Sequence, residues 1–272
     1  MIIQVTDLLH GLNRIAPFKL AESWDNVGLL IGDPRREVHS LLLGLDPTLS
    51  LLDEAINAGI DTIITHHPCI FRPFPSVNIA TPDGVFLERA LTYKINVIAC
   101  HTNFDSAATG VSDALGALLG LEKLQPLLPA GNTPEANTGL GRIGHYPQSL
   151  PFSRFMVRVF QVLDTEIIQL AGIKPSQIKK VALCGGSGSN LAEGAYNEGA
   201  DIYLSSEIKH STAIWAEEAG FCILNGTHYS TEKPAMALLG RELAKLGEEL
   251  DWNVKIHKTT TERTPFTNMM AS

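Results

Sequence analysis

The 272 residues carry 29 acidic and 21 basic side chains, a net charge of −8 opposite in sign to the footprint of a general nucleic-acid binder. The four cysteines, Cys69, Cys100, Cys184 and Cys222, form no C-x-x-C pair and no charged-then-apolar leader opens the chain, so a reducing cytoplasm is expected and a disulfide scaffold is not. No apolar run approaches the roughly 20 residues that span a bilayer, which sets membrane insertion aside.

Residues 40–45 read as a strand, 48–58 as a helix and 62–65 as a second strand, the βαβ rhythm of a parallel sheet and so of an α/β layered fold. INVIAC, ending at Cys100, is the next strand. Residues 121–138 are rich in Pro, Gly, Asn and Leu with little periodicity, and read as a connector between two lobes. The domains expected are a first lobe of 1–125 plus 235–272 and a second of 126–234. In the second, KKVAL leads into CGGSGSN (184–190), a tight strand-to-helix turn whose alternative is a phosphate loop, though it fits neither the P-loop nor the dinucleotide fingerprint. GFCILNGT is a further strand, after which Ser230 or Thr231 can cap a helix with Pro234 in its first turn. The tail holds a short strand at 252–257 and then a polar, Thr-rich end expected to fray or pack on a neighbour.

The two halves repeat. LLDEAINAGIDTIITHH (51–67) and LAEGAYNEGADIYLSSE (191–207) align Gly59 with Gly199 and Asp61 with Asp201, each a helix, a glycine cap and a short strand. The strand after each copy ends in H-x-x-x-acid, as His101 with Asp105 and His228 with Glu232.

Three separate strands therefore finish on histidine, at His66 and His67, at His101 and at His228. The carboxyl edge of a parallel sheet is where ligands gather, and strand ends aim side chains rigidly. Imidazole and carboxylate are the usual ligands of zinc, iron, manganese, cobalt and nickel, among which this set does not choose. Six ligands, His66, His67, His101, Asp105, His228 and Glu232, exceed what one tetrahedral ion needs and suit two divalent ions per chain, with Asp105 or Glu232 as the bridge. Open metal positions acidify water to a pKa of about 7, which suits hydrolysis. No Ser-His-Asp, Cys-His or G-x-S-x-G pattern stands out, and Cys69 and Cys100 read as small buried hydrophobes.

At ESWDNVGLLIG (22–32), ITHHPCIF (64–71), HTNFDSAATGVSDALG (101–116) and GTHYSTE (226–232), with GLGRIG (139–144) and CGGSGS in support, the sequence resembles the dinuclear-metal-centre hexameric proteins, the NGG-one-interacting-factor-three-like family of GTP cyclohydrolase I type 2 homologues. The resemblance implies two related α/β lobes with a metal cleft between them, no inserted extra domain, and a toroidal homohexamer. It carries over His66, His67, Asp105, His228 and Glu232 as ligands, and leaves His101 either a ligand or a support behind them. It also implies hydrolytic ring opening of GTP with formate release, for which Glu207 or His210 could shuttle protons. Alternatives are a different phosphorylated or cyclic amide substrate, or a metal-binding scaffold and regulatory partner without turnover. The acidic charge argues against nucleic acid as that partner.

Overall fold

The computed structural model describes residues 1–131 and 137–269, which cluster into two units. The first unit comprises Met1–Arg14, Glu22–His101 and Gly240–Ser272, and the second Ile15–Ala21 and Thr102–Leu239.

The first unit is built from β1 (Ile3–Gln4), α1 (Val5–Ile15), β2 (Gly28–Ile31), β3 (Glu37–Val38), β4 (Ser40–Gly44), α2 (Leu49–Ala58), β5 (Thr62–Thr65), α3 (Pro82–Thr92) and β6 (Asn96–Ala99). Its main sheet holds β4, β5 and β6 in parallel, with β2 antiparallel on the far side of β6. All residues of β4, β5 and β6 are buried, the continuous pattern of strands covered on both faces. Thr48 starts α2 by accepting a hydrogen bond from Leu51 N (3.1 Å), and Gly59 ends it at φ 67°, a left-handed residue that glycine takes without a Cβ penalty.

The second unit begins with α4 (Thr102–Asp105), α5 (Val111–Leu118), β7 (Glu122–Pro129), β8 (Gly139–Pro151), α6 (Phe152–Leu163) and β9 (Gln169–Ala171). It continues with β10 (Gln177–Ser187), α7 (Ala192–Asn197), β11 (Ile202–Ser206), α8 (His210–Ala219), β12 (Cys222–Gly226) and α9 (His228–Glu249), before β13 (Lys255–Lys258) returns to pair with β4 in the first. Its sheet runs β7-β8-β10-β11-β12-β9, with β10, β11 and β12 parallel and β9 antiparallel beyond β12. One detail recurs in the two sheets. Asp61 Oδ2 accepts from the backbone N–H of His39 (2.8 Å) and Ser40 (3.1 Å), and Asp201 Oδ2 from those of Lys179 (2.7 Å) and Lys180 (2.8 Å).

Several sequence expectations change. The expected connector contains β7, which pairs antiparallel with β8, while residues 132–136 fall outside the described ones. Residues 102–125 cluster with the second unit rather than the first, because Leu115, Leu119 and Leu121 join the core built on Phe155, Val159 and Leu204. The division also comes at Leu239/Gly240, inside α9, rather than at residue 235. That helix starts at His228, capped by Thr227 Oγ1 accepting from Ser230 N (3.1 Å), so Pro234 lies inside it rather than in its first turn. No helix among the described residues is long and apolar enough to cross a membrane.

Candidate metal centre

In the first unit, the residues that follow β4, β5 and β6 at their carboxyl ends are Asp46, His66 with His67, and His101. Backbone hydrogen bonds from His66 N to Gly44 O (3.3 Å) and from His67 N to Leu45 O (2.9 Å) extend the ladder past the strand and fix where both rings start. The three imidazoles pack ring to ring, with centroids 5.0 to 5.4 Å apart, and one ligand nitrogen from each lies within 4.8 Å of the others. This group is positioned to hold a metal ion.

The tautomers follow from the partners. His66 Nδ1 donates to the carbonyl of Cys100 (2.8 Å), which can only accept. His67 Nδ1 is 2.7 Å from Asp46 Oδ1, and His101 Nδ1 is 2.9 Å from Asp25 Oδ1. With Nδ1 carrying the proton, the nitrogen each ring can offer a metal is Nε2, and the acceptors behind the rings orient them. Asp25 is wholly buried at its side chain, a placement a carboxylate tolerates only when paired. Asn26 Nδ2 donates to Ile70 O (2.6 Å), which ties the 22–32 motif to the loop after His67. Trp24 and Phe71 stand edge-on to each other and to the His101 ring.

In the second unit the carboxyl ends of β11 and β12 lead to Glu207 and His228. His228 Nδ1 is 3.1 Å from Glu207 Oε1, and its Nε2 is 3.0 Å from Glu232 Oε2, one turn on along α9. Glu207 sits at φ 51°, a left-handed conformation uncommon for a non-glycine residue and enriched at functional sites. Glu232 is 3% exposed and packs against Gly186, where a Cβ would stand 2.0 Å from Glu232 Oε1. Gly186 of the glycine-rich turn is therefore explained by this close approach. The amides of Gly185 and Gly186 are used internally, Gly185 N donating to Ser112 Oγ (3.2 Å) and Gly186 N to Thr231 Oγ1 (3.0 Å), rather than presented to a phosphate.

Asp105 closes α4 near Cys184, whose thiol is pushed up to about 12 first by burial and then by the charges of Asp105 and Glu232. Burial likewise pushes the Cys69 thiol up to about 12, so it is no thiolate nucleophile at neutral pH. His210 is exposed at the start of α8 and, among the described residues, its side chain makes no hydrogen bond or ion pair, whereas Glu207 holds His228. Asp25, Asp46 and the Cys100 carbonyl went unread in the sequence. Asp46 and Cys100 follow strand ends, and Asp25 lies within the 22–32 motif.

The Duf34/NIF3 (NGG1p interacting factor 3) family model matches residues 3–265. The chain is 31% identical to the GTP cyclohydrolase 1 type 2 homolog of Streptomyces coelicolor, over 99% of this chain and 95% of the relative. A solved Staphylococcus aureus protein is 29% identical with a TM-score of 0.90, covering 98% of this chain and 99% of the other. The fold is also that of a Bacillus cereus protein related to NIF3, at a TM-score of 0.91 and 23% identity over 99% of this chain and 100% of that one. With its mixed α/β sheets and a histidine cluster able to hold a metal, the chain belongs to the Duf34/NIF3 family.

Proposed function

We propose that this chain binds two divalent metal ions through His66, His67, His101, Asp105, His228 and Glu232, and acts in the cytoplasm as a metal-dependent hydrolase of the GTP cyclohydrolase I type 2 kind, opening the guanine ring of GTP and releasing formate. The observation that carries the metal reading is the donor set: four histidines each have Nδ1 engaged by a carboxylate or carbonyl acceptor, so Nε2 is the coordinating nitrogen in each, set 3.0 Å from Glu232 Oε2 in His228. A structural histidine has no need of that shared orientation, and a metal ligand does. The ions would supply Lewis acidity and an acidified water. Asp25, Asp46 and Glu207 hold the rings, which makes Glu207 an orienting group before it is a proton carrier. The name of the Streptomyces relative supports the reaction.

The repeated order β4-β5-β6-β2 and β10-β11-β12-β9, in each case three parallel strands followed by one antiparallel strand, with the matching Asp61 and Asp201 hydrogen bonds, supports an internal duplication. The proposal includes a homohexamer, for which exposed Ile167, Leu170 and Ile173 around edge strand β9 are a surface to cover. Elemental analysis of purified protein should give about two metals per chain, lost in His228→Ala. Metal-loaded protein should release formate from GTP. Formate no higher than in His67→Ala would refute the reaction, and metal content unaltered by His228→Ala would refute the site.

A further inference from the structure

Residues 259–262, which follow β13, pack over the end of β4. Thr259 N donates to Leu43 O (2.9 Å), the last rung beside that strand. Beyond it the chain grips Glu54 on α2, whose carboxylate accepts from Thr259 Oγ1, from Thr260 N (3.0 Å) and Oγ1 (2.9 Å), and from Thr261 Oγ1 (3.1 Å). This places Glu262 where the next strand residues would have been. Its Oε1 accepts from both Leu45 N and Asp46 N (3.2 Å).

We propose that Glu262 is a positioning residue for the metal centre, fixing the backbone of Asp46 and, through Asp46, the ring of His67. The inference rests on the metal-binding reading above. On one side of the turn after β4, the carbonyls of Gly44 and Leu45 are taken by His66 N and His67 N. The amides of Leu45 and Asp46 are taken by Glu262, since β13 has already ended at Lys258. Two successive N–H groups converging on one oxygen form an anion-binding nest, here filled from the same chain. Without that acceptor the turn has two unsatisfied amides and one fewer restraint on Asp46, whose carboxylate holds His67 Nδ1 at 2.7 Å. The contact spans 216 residues of sequence and makes the tail part of the site.

The test compares Glu262→Ala, Glu262→Asp and Glu262→Gln in the full chain, using Co²⁺ absorption and Zn²⁺ competition with a chelator. Glu262→Ala should weaken the His67-dependent ion by about 10- to 100-fold and alter its Co²⁺ bands. Glu262→Asp, one methylene short, should move the same way. Glu262→Gln, whose Oε1 still accepts both amides, should retain wild-type affinity and spectrum. Wild-type affinity and bands in folded Glu262→Ala, or in Glu262→Asp where the alanine variant does not fold, would overturn the role of Glu262 while leaving the metal site standing. Wild-type protein that takes up no Co²⁺ would overturn the metal reading and this inference with it.

Discussion

Replacing Gly186 by alanine tests the metal site at one atom. The residue lies at φ 66°, and an added Cβ would meet Glu232 Oε1 at 2.0 Å, Glu232 Cδ at 3.0 Å and His228 Nε2 at 3.4 Å. Nonbonded heavy atoms settle near 3.5 Å, so the carboxylate must retreat by about 1.5 Å. Because it is the far end of a flexible side chain, the carboxylate moves and the backbone stays. Glu232 is only 3% exposed, however, so the displaced carboxylate overpacks its buried surroundings and leaves the position beside His228 Nε2 that the proposed metal requires. The left-handed backbone adds about 1–2 kcal/mol once a Cβ is present. Gly199→Ala is the matched control, with φ 71° and nothing within 4 Å of its added Cβ, so it costs the backbone term alone. Urea unfolding of the metal-free proteins should show Gly199→Ala down by about 1–2 kcal/mol and Gly186→Ala by about 1–3 kcal/mol more. Zn²⁺ competition should show at least a roughly tenfold loss in Gly186→Ala and none in Gly199→Ala. Equal stability and equal Zn²⁺ affinity in the two variants would refute the placement of Glu232 as a ligand.

Arg142 is fully buried and bonds Asp113 through Nε (2.9 Å) and Nη2 (2.7 Å), together with the carbonyls of Gly139, Gly141 and Ala107. Arg142→Met should cost about 3–5 kcal/mol by stranding the Asp113 charge, and Arg142→Lys should not rescue it, because an ammonium cannot reproduce the planar fork. A urea midpoint close to wild type would contradict this. Glu262 titrates above its ordinary 4.5 because burial raises it, Asp46 adding to the shift and the amides of Leu45 and Asp46 opposing it. In that window the unfolded chain binds fewer protons, so the Glu262 contribution to stability is full below about pH 4.5 and falls as pH rises through the folded value. Glu262→Gln should therefore gain on wild type across that rise. An unfolding free-energy difference constant from pH 4 to 8 would refute it.

The sequence by itself determined what short-range physics controls. Buried apolar runs marked β4, β5, β6, β11 and β12, glycines at 59 and 199 marked helix ends, and three strands running into histidine marked the edge where chemistry gathers. Local signals failed where partners are remote. Residues 121–138 looked like a connector because composition cannot show that β7 finds β8, and Pro234 looked like a helix start because only the Thr227 cap places the true one a turn and more earlier. The acceptors that choose each tautomer lie 21 residues away for His67 and His228, 34 for His66 and 76 for His101. Glu262 reaches its amides from the opposite end of the chain. Donor types are written residue by residue, but which nitrogen carries the proton, and why residue 186 must be glycine, depend on atoms brought together only by folding.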